Sequence, residues 1–172
     1  MTPFWKSTSD SLLMQGDYLP NSLVPVIPPT FGPSTQSTDL VIHTVDLLIV
    51  TQSCDLANAK SGMVALCPIH SVQLFESVNP SFAKKGAWEE VRKGRREGLH
   101  LLASPTNPTN GHEALVVDFR EIYSLPFEYL THHATSLGDR WRLDSPFLEH
   151  FSQAFARFFM RVGLPSSVPP IV

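Results

Sequence analysis

Asp46-Leu47-Leu48-Ile49-Val50-Thr51-Gln52 is a continuous, β-branched apolar run. Its length and composition predict a strand buried on both faces. Ser53-Cys54-Asp55 ends it, and Asn58-Ala59-Lys60-Ser61-Gly62 is turn chemistry. Met63-Val64-Ala65-Leu66-Cys67-Pro68-Ile69 reads as the next strand. Proline has no donor for a strand ladder, so Pro68 marks an end at a sheet edge or a bend.

Outward from this pair, residues 82–99 read as a helix with Ala83, Ala87, Val91 and Trp88 on one face and Gly94 and Gly98 at its end. Leu99-His100-Leu101-Leu102-Ala103 is a short strand, and residues 104–111 are a loop or hairpin tip. Glu113 to Phe119 is a further strand, and Ile122 to His133 a strand end followed by a helical turn. The strongest helix signal is C-terminal. Asp144 or Ser145 caps it, Pro146 takes its first position, and Phe147, Phe151, Phe155 and Phe159 recur every four residues beside Leu148, Phe158 and Val162. Gly163 and Pro165 stop it. On the other side, Met1 to Asp39 reads as loosely built chain wrapped on a surface, because Pro20, Pro25, Pro28, Pro29 and Pro33 remove donors and fix φ. Its one ordered feature is Gly16-Asp17-Tyr18-Leu19, a turn leading into a short strand. The expected organisation is one α+β domain: the N-terminal wrap (1–39), strands with an inserted basic helix (40–143), and a C-terminal packing helix (144–164).

The 172 residues suit a single domain, and 42% hydrophobic composition with 11 Phe suffices for a core, which excludes disorder. The longest aliphatic run, Leu47 to Val50, falls far short of the roughly 18 residues of a membrane helix. Met1-Thr2-Pro3-Phe4-Trp5-Lys6 has no signal-peptide pattern, and two cysteines make no disulfide framework, so a cytoplasmic protein with reduced thiols is expected. A net charge of −3 excludes a uniformly basic nucleic-acid coat but allows a local basic groove.

Four constellations carry chemistry. Cys54, with Asp55, follows a buried strand; it is a nucleophile only if an imidazole stands near, and otherwise a small packed hydrophobe with Asp55 capping the next turn. Cys67 and His70 have a C-x2-H spacing to which Cys54 could add a thiolate and His43, His100 or His112 a fourth ligand. No paired C-x2-C accompanies them, so a structural strand end is the favoured reading, with neither metal nor cofactor expected. Lys84, Lys85, Arg92, Lys93, Arg95 and Arg96 are six of thirteen Lys and Arg, partly offset by Glu89, Glu90 and Glu97. They form either a solvated helix face or a phosphate contact, with Trp88 and His100 as stacking surfaces for unpaired bases. His150, Gln153, Arg157 and Arg161 form a polar stripe on the last helix, a solvent face or a contact for an anion or a partner's carboxylates. Gly111-His112 and His132-His133 carry no specific pattern.

The order of these elements resembles the MazF/PemK-like group, small barrels best known as toxin endoribonucleases. The resemblance spans roughly residues 14–164. Gly16-Asp17 is similar to that group's early strand start, and Asp46 to Gln52 to its apolar second strand. Val64 to Ser71 is similar to its strand closing with proline, a branched aliphatic and Thr or Ser. Ala114 to Ser124 resembles its late strand, and Val162-Gly163-Leu164 the end of its final helix. The group's Arg-Pro before the second strand is replaced by Val45-Asp46, with His43 the nearest base, and its Thr position by His70, followed by Ser71. Ser53-Cys54-Asp55-Leu56 and the ending Ala154 to Pro165 also resemble an uncharacterised bacterial group to which no activity attaches.

The resemblance implies a small SH3-like barrel acting on single-stranded RNA. Catalytic candidates are His43, His70 and Ser71, with Cys54 and Asp55 at the strand end and Arg95 or Arg96 as cation. The 84–96 segment would contact phosphates. The alternative is a non-catalytic module binding an antitoxin or another operon neighbour, and a homodimer fits either. A thiol or metal site is the third reading.

Overall fold

The computed structural model describes residues 3–32, 39, 41–58 and 62–160. The run quoted first is strand only as far as Ile49: Asp46 to Ile49 close β3 (Val41–Ile49), which begins earlier than expected, and Val50 to Gln52 follow it; β1 (Trp5–Thr8) and β2 (Tyr18–Val26) come before. Helix α1 (Ser53–Ala57) leads to β4 (Met63–Ser71), α2 (Val72–Val78) and α3 (Ala87–Arg92). Then come β5 (Leu99–Leu102), β6 (Leu115–Asp118), β7 (Tyr123–Pro126), α4 (Phe127–Leu137), β8 (Arg140–Leu143) and α5 (Phe147–Phe159). The fold is α+β and every strand pair is antiparallel.

Six strands form one sheet in the order β2-β3-β4-β6-β5, with β7 also on β4, while β1 and β8 form a separate ribbon. Among the described residues no pairing joins β2 to β5, so hydrogen bonds do not close this sheet into a barrel.

The apolar run is buried on both faces because successive side chains alternate. Leu47 and Ile49 enter a cluster with Leu19, Val64, Leu66, Leu125 and Leu130. Leu48 and Val50 enter another with Cys67, Ile69, Val117, Phe119 and Phe151. Each fully buried Leu or Ile contributes about 1.5–3 kcal/mol, so this strand anchors two cores at once.

Pro68 does not end β4. Its neighbours pair on one edge with β7 up to Leu66 and with β6 from Ile69 onward. The proline falls at this change of partner, where a missing donor breaks no ladder.

The N-terminal segment is less loose than its prolines suggest. β1 pairs with β8, and β2 runs as a nine-residue strand against β3. Pro20 sits within the register shift between Leu19 and Ser22, and Pro25 lies on an edge strand, the two places where proline is tolerated. Helix α4, longer than the turn expected, holds this strand: Leu23 N–H donates to Tyr129 Oη (2.6 Å), and His133 Nε2 lies 2.8 Å from the Pro20 carbonyl. Pro33 lies outside the described residues.

The helix expected over 82–99 is confined to α3, preceded by a short 3-10 turn at Pro80–Ala83. Ala87 and Val91 are buried with Phe75 and Phe82, but Ala83 is exposed. Gly94, at φ 68°, takes the chain out of the helix.

Helix α5 seals the second core. Phe147 stacks on Phe4, and Phe151 and Phe155 pack on Phe119. A four-residue period outruns the 3.6-residue turn by about 40° per step, and Phe159 is consequently turned out, 56% exposed. Pro146 stands just before the helix, and the Asp144 main-chain carbonyl accepts from Phe147 and Leu148 N–H. Arg161, Val162, Gly163 and Pro165 lie outside the described residues.

Gly16-Asp17 joins these parts. Gly16 N–H donates to the Ile49 carbonyl and the Gly16 carbonyl accepts from Leu143 N–H, both at 2.9 Å. Gly16 has φ +83°, and a Cβ there would stand 2.9 Å from both Leu143 Cβ and Leu148 Cδ1. Gly16→Ala is therefore expected to destabilise by about 1–3 kcal/mol through backbone strain and overpacking, read as a lower urea midpoint. An unchanged midpoint would refute the close approach. Beside it, buried Asp17 faces both Arg140 and Arg142 of β8.

Candidate functional site

Among the described residues strand β5 pairs only with β6, which leaves its other edge open. Residues 92–98 run into that edge from α3, and α5 passes on the opposite face of the sheet. Between them lies a cleft of about 250 Å³. One wall carries Arg92, Lys93 and Arg96; the other carries His150, Gln153 and Arg157; His100, Phe119 and Phe158 are also on the lining. The basic segment and the α5 stripe thus meet in one cavity. Arg161 of that stripe lies outside the described residues.

The cations differ in commitment. Arg92 and Lys93 bind Glu89 at 2.7 and 3.1 Å, and Arg95 binds Glu90 at 3.1 Å. The hydrogen bonds from Arg92 and Lys93 hold the Glu89 carboxyl down to about 2. Among the described residues neither Arg96 nor Arg157 has a carboxylate within ion-pair distance. The Arg96 guanidinium lies 4.7 Å from the Phe82 ring centroid. Stacking of this kind fixes the guanidinium plane while its N–H edges remain able to bind an anion. Gly98, at φ +83°, lets this wall come close: a Cβ there would stand 2.8 Å from Arg120 Cγ and 3.2 Å from Phe158 Cε2.

His100 stacks on Phe119 and meets Phe151 edge-on. Burial, and then the charge of His150, push its pKa down to about 4. The unfolded chain takes up this proton near the ordinary value of 6.5, the folded chain only near 4. Stability is therefore unaffected above 6.5 and falls as pH drops through this window, by at most about 3 kcal/mol. Urea midpoints from pH 7 to 4 should show the loss, and His100→Gln should flatten it. An equally steep decline in the variant would assign it to other groups.

His70 and Ser71 line a different cavity, of about 460 Å³, with Tyr18, Asn21, Thr44 and Asp46. Among the described residues the two cavities share no lining residue, and this one has neither Lys nor Arg on its lining. Tyr18 Oη donates to Asp46 Oδ2 (2.6 Å) and Asn21 N–H to Asp46 Oδ1 (2.8 Å). Burial, then Asp46, raises the Tyr18 phenol's pKa. Ser71 Oγ accepts from Leu74 N–H (3.1 Å), the N-cap of α2. His43 is exposed on β3 opposite Val24 and does not line this cavity.

Cys54 and Asp55 lie in α1, past the opposite end of β3 from Thr44. Cys54 Sγ lies 3.7 Å from Gln52 Oε1 and 3.8 Å from Asp55 Oδ1, with no imidazole among its hydrogen-bond partners. Cys67 is fully buried, its thiol pushed up to about 12 by burial and then by Asp118. It cannot share a ligand set with His70, because an odd spacing on a strand sends the two side chains to opposite faces. Among the described residues no group of three or more His, Cys, Asp and Glu is placed to hold a metal ion.

Trp88 is not a free stacking surface: its ring packs on Phe75 and Phe82 and Nε1 donates to Glu76 Oε1 at 2.7 Å. Lys84 and Lys85 are exposed but line neither cavity. Of the expected RNA contacts, Arg92, Lys93 and Arg96 share the cleft, and Arg95 borders the depression beside it.

No family model matches this chain, and no curated protein or solved structure does. No described helix is long and apolar enough to cross a membrane.

Proposed function

We propose that this protein is a MazF/PemK-like module that binds single-stranded RNA through the cleft between residues 92–98 and α5. The convergence of four cations (Arg92, Lys93, Arg96 and Arg157) on one cavity with an aromatic floor carries this reading. Phosphate recognition needs clustered cations, and unpaired bases need flat apolar surfaces. Binding is favoured over cleavage because, among the described residues, the His70 cavity offers Asp46 and no Lys or Arg to an incoming phosphate, whereas phosphoryl chemistry needs a cation or donor beside the base.

The test is a fluorescently labelled, hydroxyl-ended RNA of about twelve nucleotides, within the span that single-strand grooves cover. Arg157→Gln should weaken binding by about tenfold, the value of one charge-assisted hydrogen bond. It should also lower the salt slope by about 0.7, one phosphate's counterions. Cleavage should be absent, with and without His70→Ala. Binding at the same affinity and slope in Arg157→Gln would remove the cleft from the function, and His70-dependent cleavage would restore the endoribonuclease reading.

One observation favours a protein-binding adaptor instead. Leu23, Ile27, Phe31, Val41 and Ile42 are all exposed where β2 and β3 run out beyond β4. Under that reading Ile42→Glu abolishes co-purification with a co-expressed operon neighbour while RNA binding is nil from the start.

A further inference from the structure

The dimensions of the cleft and the distribution of free charge say which part of an RNA it takes. A surface that tracks a strand repeats its cations along a groove several nucleotides long. Here the cleft holds about 250 Å³, just below the usual range of roughly 300–1,000 Å³ for ligand pockets, room for one nucleotide end and not for a run of several nucleotides. Arg96 and Arg157, neither with a carboxylate partner among the described residues, approach it from separate elements, and His150 adds a further donor. Among the described residues Glu97 is the one carboxylate on the lining.

The surroundings point the same way. Beyond Arg96 and Phe158 the surface continues into a depression of about 560 Å³ that also carries Arg95 and Arg120. Those two are already committed, Arg95 to Glu90 and Arg120 to Asp118. This second chamber offers room and the rings of Phe82 and Phe158, but Arg96 is its one cation without a carboxylate among the described residues. A chain whose phosphates were read in succession would need free cations in both chambers. Arg96 lines both chambers and Arg157 the small one, so the second chamber adds no cation of its own that lacks a carboxylate among the described residues; this suits a single terminal group, with the rest of the nucleotide leaving over the rings of Phe82 and Phe158. A monoester is the terminal group that gains most there, since it carries more charge and more acceptor oxygens than an internal diester.

We propose that the cleft is an end-recognition pocket for the terminal phosphate monoester of a nucleotide, held between Arg96 and Arg157. The proposal rests on the RNA reading for its natural ligand, an RNA end, although a free nucleotide offers the same chemistry. The test compares one RNA sequence in three forms (5′-phosphate, 3′-phosphate, hydroxyl at both ends) with a nucleoside 5′-monophosphate as competitor. One phosphorylated end should bind at least tenfold tighter than the hydroxyl-ended form. The preference should vanish in Arg96→Gln and in Arg157→Gln, both exposed positions, with melting temperatures unchanged. Equal affinity of all three RNAs overturns the inference and leaves RNA binding standing. Binding of the monophosphate alone, lost in both variants, upholds the pocket and removes RNA as its ligand. No binding of any form overturns both.

Discussion

Asp17→Asn is expected to cost about 3–5 kcal/mol of folding stability, the penalty for stranding a buried charge. Asp17 is fully buried, and Arg140 and Arg142 are only 4% and 6% exposed. The carboxylate accepts from Arg140 Nε at 3.1 Å, from Arg142 Nη2 at 3.0 Å and from Arg142 Nε, and it also takes Met14 N–H. The guanidiniums also donate to the main-chain carbonyls of Asp10 and Leu12 and, from Arg142 Nη1, to Met14 Sδ. An amide of the same shape keeps the packing but removes the only anion between two enclosed cations. A domain of this size is stable by about 5–15 kcal/mol in all, so the variant should approach unfolding at ambient temperature. Urea denaturation measures it, and a loss below about 1 kcal/mol would show that water reaches these charges. The ribbon of β1 and β8 should loosen first, since the network ties it to the start of β2.

The second large effect is at Phe151. Its side chain is fully buried, packed on Phe119 at 5.6 Å between ring centroids and on His100 at 5.8 Å. Phe151→Ala removes the central ring of the second core and should cost about 3–5 kcal/mol, whereas Phe151→Leu, which keeps most of the volume, should cost about 1.5 kcal/mol or less. The same helix supplies one wall of the cleft. Phe151→Ala should therefore also weaken RNA binding at temperatures where the chain is still folded, and Phe151→Leu should not. Equal losses of stability in the two variants would mean that the ring's shape is irrelevant and that the helix is held elsewhere.

The elements that were legible in the chain are those with strong local signals. Leu47 to Val50 is apolar at every position, which only a doubly covered strand accommodates, and the Phe repeat from 147 onward has a helical period. The misjudged elements are those where tertiary pairing overrides local preference. Pro20 and Pro25 argue against a strand, yet a sheet edge and a register shift leave their missing donors unneeded. Pro68 looked like a strand end and is instead the point at which β4 changes partner. Arg140-Trp141-Arg142-Leu143 gave no apolar pattern, because its inward positions are filled by charge and matched by Asp17 from more than a hundred residues away. Alternating arginines on so short a segment were the one available hint.

For the candidate site, composition alone located the two halves. Six clustered cations and a polar stripe of His150, Gln153 and Arg157 are visible in one dimension, as is the aromatic wealth of the last helix. That these halves face each other across an open strand edge was decided by the packing of α5 on the sheet, and that His70 stands in a separate cavity beside Asp46 by the pairing of β2, β3 and β4, whereas Arg92, Lys93 and Arg95 are paired locally with Glu89 and Glu90. Local sequence sets which face of each segment is apolar. Which charged segments then meet, as Arg96 and Arg157 do and as Asp17 does with Arg140 and Arg142, depends on contacts between parts far apart in the chain, and those follow from how the faces are buried together.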